Sequence, residues 1–518
     1  MTPEIASNTA SLRGRWGHFL RPSPLALLML LVFVVGTYAT QSLPPDQPDH
    51  GDVFSDLYVI DGANRIAQYG LWDTRLALPT DDGLELGLDP YLYVNWPSAP
   101  YVVQSFGYQL GLSSNQVRML PLLQVALAGY LAFCFARRFL GRSAALFALG
   151  FFLTASPVRM MADSLATVPP DLLGRIAAFS AVVIANEIDP AGPRRRWLLG
   201  LGTAAVVVGA NGAFLGFESF PAACVFAFGY PLTKAFIRRG LTGPDIIASL
   251  AVPAGGVLLA VSVRIMQIAI LPGPMGEDLD TVRSGAAFRV DDSSFIRVLG
   301  AEFLRLIRYT PALLVLSAVA VLIWLYRMAR GTRLPRSMAI AGLFLGSELV
   351  WYLAVRQHSR IHIHTLLLVT YSLVFLSGWV FAVAFRAAHR LAPNWQIVGQ
   401  VALLLLFPIL LAHPLVDATK NVSIHEDISA DIAEVAEVSG SLPHDAVVAF
   451  SSSINYNDPF LPYFLEQPVL RVPNVDLRQL AEQRPVFFAF YTRDPDDLVD
   501  AARGAGAVLH IRTEHYSV

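Results

Sequence analysis

"RMLPLLQVALAGYLAFCFARRFLGRSAALFALGFFLTASP", residues Arg118–Pro157, holds two apolar runs split by Arg137, Arg138 and Arg142. Each run is close to the ~20 residues that cross a bilayer as a helix. The arginines between them sit where a chain turns back through lipid headgroups. The stretch therefore reads as a hairpin of two membrane helices, near 116–136 and 142–158. Working outward, nine further windows of the same kind lie near 24–40, 170–187, 196–215, 218–236, 245–270, 310–328, 337–355, 363–385 and 396–414. The chain is 54% apolar and only 15% charged, against roughly a quarter charged in soluble proteins. The expected fold class is a multi-pass α-helical membrane protein with about eleven transmembrane helices.

Basic residues give the orientation. Arg13, Arg15 and Arg21 precede the first window. Arg137, Arg138 and Arg142, then Arg194, Arg195 and Arg196, then Lys234, Arg238 and Arg239 fall after even-numbered windows. So do Arg327, Arg330, Arg333 and Arg336, and finally Arg386 and Arg390. All lie on one side, which is read as cytoplasmic. The N-terminus then faces the cytoplasm. The loop at about 41–97, the loop near 271–309 and everything past the last window face outward. The expected location is the inner (plasma) membrane. The first apolar run reads as an uncleaved span rather than a signal peptide, although Thr37-Tyr38-Ala39 weakly resembles a cleavage site. Cys134 and Cys224 both sit in apolar runs and read as inert core residues. The net charge of −2 and the lack of a basic-aromatic stripe argue against a nucleic-acid partner.

Two soluble parts follow. In the first outer loop, "SDLYVIDGANRIAQYG" places Leu57, Ile60, Ala63 and Ala67 on one helical face, with Gly70 as its stop. Ser55 is the expected cap. "SAPYVVQSFGYQLGLS" is too short to span and reads as an interfacial helix. In the tail, "HEDISADIAEVAEV" and "DPDDLVDAARGAGA" read as helices, and "AVVAFS", "PVFFAFYT" and "AVLHIR" as strands. The expected domains are thus 1–415, a transmembrane domain, and 416–518, a small α/β domain outside the membrane.

The outer loop is rich in carboxylates. Asp46, Asp49, Asp81 and Asp82 stand among turn formers and read as solvated. Asp52 and Asp56 precede or open the amphipathic helix, and Asp61 lies within it. There a carboxylate either favours the positive helix end or serves as a general base on a hydroxyl. In the second outer loop Asp163 is a further acidic candidate. Asp171 opens the fourth span with Arg175 one turn below, an arrangement that reads first as a capped helix with a local ion pair. Glu218 is a weaker candidate, read first as a helix cap. "VRQHSRIHIHTLL" brings Arg356, His358, Arg360, His362 and His364 to one membrane edge. Their readings are headgroup contact, a metal site for which the spacing is poor, or a phosphate clamp.

A resemblance orders these candidates. A basic tail and a span lead to "FSDLYVIDGANRIAQYGLWD", then "YVNWPSAPYVVQSFGYQLG", then the hairpin quoted first. Over about residues 10–190 this resembles the N-terminal module of the class C (GT-C) membrane glycosyltransferases. Such enzymes carry an acidic residue in the first outer loop, follow it with interfacial helices bearing a proline-aromatic motif, and use a polyprenyl-phosphate sugar as donor. The sequence has Asp56-Leu57 where several branches have Asp-Glu. The resemblance implies transfer of a hexosyl or pentosyl group to a lipid, glycan or protein acceptor in the envelope. It implies Asp56 as base, with Asp52 and Asp61 as the alternatives, Asp163 as accessory acid, and Arg356, His358, Arg360, His362, Arg159 and Arg175 around the donor phosphate. No cofactor is demanded, and a divalent metal is left open. Two rivals stand beside it. A lipid-linked sugar transporter would show repeated halves and charges within spans, and no internal repeat is visible. A non-catalytic envelope-assembly scaffold would keep the layout with a degenerate site.

Overall fold

The computed structural model describes residues 19–20, 23–40, 53–74, 78–79, 82–86, 92–93, 99–216, 219–270, 295–331, 336–354, 366–367, 369–417, 428–450, 465, 467–471, 485–491 and 516–517. In chain order the elements are α1 (Pro24–Thr40), α2 (Val53–Tyr69), β1 (Leu78–Pro79), β2 (Leu92–Tyr93), α3 (Ala99–Gln109), α4 (Met119–Leu140), α5 (Arg142–Thr154), α6 (Ser156–Met160) and α7 (Val168–Asn186). There follow α8 (Arg194–Ala210), α9 (Ser219–Arg238), α10 (Gly243–Ile270), α11 (Phe295–Tyr309), α12 (Pro311–Ala329), α13 (Arg336–Ala354), α14 (Thr370–Ala388) and α15 (Pro393–Asp417). Last come α16 (Ile428–Ser441), β3 (Val447–Phe450), β4 (Val469–Arg471), β5 (Val486–Tyr491) and β6 (Tyr516–Ser517).

The chain is a mostly helical, multi-pass membrane protein. Among the described residues seven helices are long and apolar enough to cross a membrane, those within Ser114–Leu140, Val168–Asn186, Arg194–Leu215, Ser219–Arg238, Gly243–Gln267, Pro311–Ala329 and Thr370–Ala388. Shorter apolar helices fill Pro24–Thr40, Arg142–Thr154 and Trp395–Phe407. The second helix of the quoted hairpin is shorter than its apolar window because the chain breaks at Ala155, whose ψ of 126° leaves the helical range. Pro157 then lies in the first turn of α6, where its missing N–H costs nothing. The 271–309 loop is not wholly irregular. It ends in α11, whose exposed Ile296, Phe303, Leu304 and Ile307 share one face just before α12 begins.

The chain divides into two compact units. The first holds Met1–Gln41, Met119–Asp163 and Thr167–Lys420. In it α7 and α14 run through the middle, almost wholly buried. Rings from four helices and α14 interlock around them. Phe179 stacks on Phe226 at 4.2 Å, Phe135 meets Phe344 at 4.7 Å, and Phe344 meets Phe375 at 5.7 Å. Inside lipid such packing, rather than exclusion of water, holds helices together. The outward sides of α1, α10, α12 and α15 expose Leu28, Leu31, Leu258, Ile265, Leu322 and Leu405. Apolar surface of this kind suits lipid tails and would be a liability in water.

The second unit holds Ser42–Arg118, Ser164–Ala166 and Asn421–Val518. Here α2 packs on α3 and on β1, which pairs antiparallel with β2. Gly62 lets α2 pass close to β1, since a Cβ there would lie 2.2 Å from Leu78 Cδ1. Gly70, at φ +94°, ends α2 as the sequence led one to expect. The helix starts at Val53, however, so Ser55 lies inside its first turn and is not the residue before it. The tail strands form one sheet in the order β4-β3-β5-β6. The β3 strand runs parallel to both neighbours, and β6 is antiparallel to β5. The expected helix "DPDDLVDAARGAGA" and strand "AVLHIR" lie outside the described residues.

The reading of Asp82 as a solvated turn residue is wrong. Its side chain is 18% exposed and lies against the edge strand β4. Val469 N–H donates to Asp82 Oδ2 at 2.8 Å, and Asp82 N–H donates to Val469 O at 2.8 Å. Asp82 thus pairs with this edge strand through both its backbone and its side chain. Four residues on, Leu86 packs against Val447 and Leu470 of the sheet.

Candidate active site

Asp56 is fully buried in the first turn of α2. The apolar stripe of that helix explains its depth, because Leu57, Val59, Ile60, Ala63 and Ile66 are all buried around it. Its Oδ1 accepts two hydrogen bonds, one from Ser164 Oγ at 2.8 Å and one from Leu165 N–H at 2.7 Å. Bonds to a carboxylate are charge-assisted and about twice as strong as neutral ones. The donors come from a tripeptide held on its other sides too. Ser164 Oγ accepts from Ala166 N–H at 3.2 Å, and Gln104 Nε2 on α3 donates to Leu165 O at 2.6 Å. So α2 and α3 clamp residues 164–166 between them, and Asp56 has a fixed direction. Arg65, two and a half turns along α2, reaches Asp61 Oδ2 at 3.1 Å and Asp82 Oδ1 at 2.8 Å. Asp61 is therefore engaged in an ion pair.

The other expected site residues fall as follows. Asp163, in the membrane unit, is 1% exposed and directly precedes Ser164 in the chain. Arg159 on α6 is half-buried. Asp171 caps a helix, but not its own. Its Oδ1 accepts from Ser219 N–H at 2.9 Å, at the start of α9, where a carboxylate favours the positive helix end. Asn211, in a π-type turn, exchanges hydrogen bonds with Ser219 Oγ at 2.9 and 3.0 Å beside it. Asp52, Glu218, Arg356, His358, Arg360, His362 and His364 lie outside the described residues.

Arg175 is fully buried on α7. Its Nη2 donates to Leu367 O at 2.7 Å, its Nη1 lies 3.9 Å from Glu348 Oε1, and its guanidinium carbon sits 5.0 Å from the Tyr371 ring centre. Glu348, also fully buried, accepts from Ser372 N–H at 3.2 Å and from Ser372 Oγ. Tyr371 in turn donates to Leu172 O at 2.9 Å. This polar knot ties α7, α13 and α14. It also places Glu348, an acid on α13 that the sequence reading did not single out, beside Arg175. The signal was present: Glu348 is the lone acid in the apolar run of α13, and an ionisable group in a span marks a paired or functional site. Ser164 and Gln104 carried no such signal. Among the described residues no three His, Cys, Asp or Glu side chains gather as a metal set.

No protein-family model matches the chain. A search of curated proteins finds no match either. Solved structures do match. The structure of ArnT from Cupriavidus metallidurans in the apo state aligns with a TM-score of 0.58 at 14% identity, over 95% of this chain and 96% of that one. The same ArnT bound to undecaprenyl phosphate aligns at 0.54 and 16%, over 95% and 97%. The archaeal oligosaccharyltransferase AglB from Archaeoglobus fulgidus, in complex with an inhibitory peptide and a dolichol-phosphate, aligns at 0.54 and 10%, over 86% and 64%. The likeness is one of fold: this chain has the GT-C fold of membrane glycosyltransferases.

Proposed function

We propose that the chain is a glycosyltransferase that moves one hexosyl or pentosyl group from a polyprenyl-phosphate donor to an envelope acceptor. The reading places the reaction at the outer face of the inner membrane. It takes all eleven apolar windows as spans, residues 1–415 as the membrane domain and 416–518 as an α/β domain outside it, with the N-terminus in the cytoplasm. The observation that carries it is Asp56, a buried carboxylate held by Ser164 and Leu165 in a chain with the GT-C fold. The lipid phosphates named with the ArnT and AglB structures support the choice of donor.

The chemistry asks little of the protein. Asp56 takes the proton of an acceptor hydroxyl as that oxygen forms its bond to the anomeric carbon. The carbon–oxygen bond to the phosphate breaks, and polyprenyl phosphate leaves with the electron pair. Phosphate is a good leaving group, so cations that neutralise its growing charge replace a general acid. Arg356, His358, Arg360, His362 and Arg159 take that role, with Asp163 an accessory acid that orients the acceptor. Asp52 is the alternative base. Arg175, engaged by Glu348 and Leu367, supports the chain that follows the His/Arg cluster rather than reaching phosphate itself. The purified protein, given radiolabelled polyprenyl-phosphate hexoses and pentoses with extracted envelope lipids, glycans and proteins, transfers label to one class. No transfer from any donor overturns the proposal.

A further inference from the structure

Asp82 does two jobs with one carboxylate. Oδ2 and the backbone N–H pair with the β4 edge at Val469, while Oδ1 accepts from Arg65 Nη2. Val469 is available for this because Pro468 O faces the other way and accepts from Val448 N–H within the sheet. Arg65 belongs to α2, the helix that carries Asp56 in its first turn. A helix is stiff along its axis, so a hold at Arg65 constrains the direction of Asp56 nine residues earlier. The tail sheet, more than 380 residues away in sequence, is thereby joined to α2 through the Asp82 side chain.

We propose that Asp82 is a positioning residue: it makes the C-terminal sheet part of the machinery that orients Asp56 toward Ser164 and Leu165. Leu86 beside it, packed on Val447 and Leu470, fixes the turn so that Asp82 meets both partners. Its catalytic consequence rests on the proposed function. The geometric claim does not.

Asp82→Asn separates the two jobs. Its amide oxygen and backbone still close β4, while its NH2 faces the Arg65 guanidinium, donor against donor. Hydrogen exchange of the full-length variant in nanodiscs is read at three places. Exchange at the Leu165 amide, which donates to Asp56, and at Ile60–Ile66 should speed up by about tenfold as the hold on α2 loosens. Exchange at β3 and β5 should stay as in the parent. Under the proposed transfer reaction kcat falls about ten- to hundredfold with the donor KM unchanged, as expected of a misaligned base. Arg65→Gln gives the same loss, and the double variant loses little more than either alone, because both remove one link. Unchanged exchange at Leu165 and α2 overturns the proposal. So does faster exchange with full activity, or additive losses. A parent protein without transferase activity defeats the proposed function instead, and the Leu165 amide then decides the geometric claim alone.

Discussion

Replacing Asp56 with Asn tests base against brace. In the parent, Oδ1 accepts from Ser164 Oγ and Leu165 N–H at 2.8 and 2.7 Å. Asn keeps an acceptor oxygen in the same place and loses the charge. A hydrogen bond to a charged group contributes about 1.5–3 kcal/mol and a neutral one about 1 kcal/mol. Two such bonds therefore weaken by roughly 2 kcal/mol together. That lowers the melting temperature by a few degrees and leaves the fold intact. Loss of a general base is larger, about 10²–10⁴-fold in rate, or roughly 3–5 kcal/mol of barrier. The two effects differ in size and in kind.

Asp56→Ala sharpens the comparison. It strands the buried Leu165 N–H, which costs about 1–3 kcal/mol beyond the lost bonds. The expected pattern is equal inactivity in Asn and Ala, with Ala clearly less stable. Transfer of label from saturating donor reads the rate, and thermal unfolding in nanodiscs reads stability. Should Asn retain parental activity, Asp56 is a brace and not a base. Activity that falls in step with stability across the pair also makes it a brace. The comparison matters because Asp82 and Asp171 each accept a main-chain N–H in the same manner, at Val469 and Ser219. Holding a backbone amide does not by itself make an aspartate catalytic.

Three further outcomes are expected. Arg175→Ala leaves the buried Leu367 carbonyl without its donor, which costs about 1–3 kcal/mol of stability on top of the lost packing; Glu348→Gln keeps an acceptor for Ser372 and is milder, and equal effects from the two in a thermal melt would refute this account of the polar knot. Arg356→Ala or Arg360→Ala raises the donor KM by more than the roughly fivefold that loss of a ~1 kcal/mol headgroup contact can explain, and an unchanged KM returns the cluster to the anionic-lipid reading. Alkaline phosphatase fused after Val518 is active if the tail faces outward, and activity of a cytoplasmic reporter there instead inverts the proposed topology.

What the sequence made legible follows from which forces act locally. Lipid demands apolar side chains over a fixed length, so every apolar window contains a helix, and arginines mark the turns. Where the chain also obeys local backbone rules the detail is finer: Gly70 at positive φ ends α2, and Pro157 sits where a new helix starts. Asp82 shows where such reasoning stops. Its neighbours Asp81 and Gly83 are turn formers, so a local reading has no reason to single it out. Its role comes from Val469 and Arg65, one far down the chain and one on another element. No periodicity or spacing encodes such a pairing. Asp56 stands out by contrast because two signals agree on it, the apolar stripe of α2 and the resemblance of its loop. Glu348 lies between these cases. Its partners are invisible in the sequence, but the cost of an acid among apolar neighbours is not, and that cost marks it as a group that needs polar partners, here Ser372 and Arg175. A buried ionisable group thus announces locally that it has partners elsewhere in the chain, because the penalty for leaving it unsatisfied is larger than any propensity.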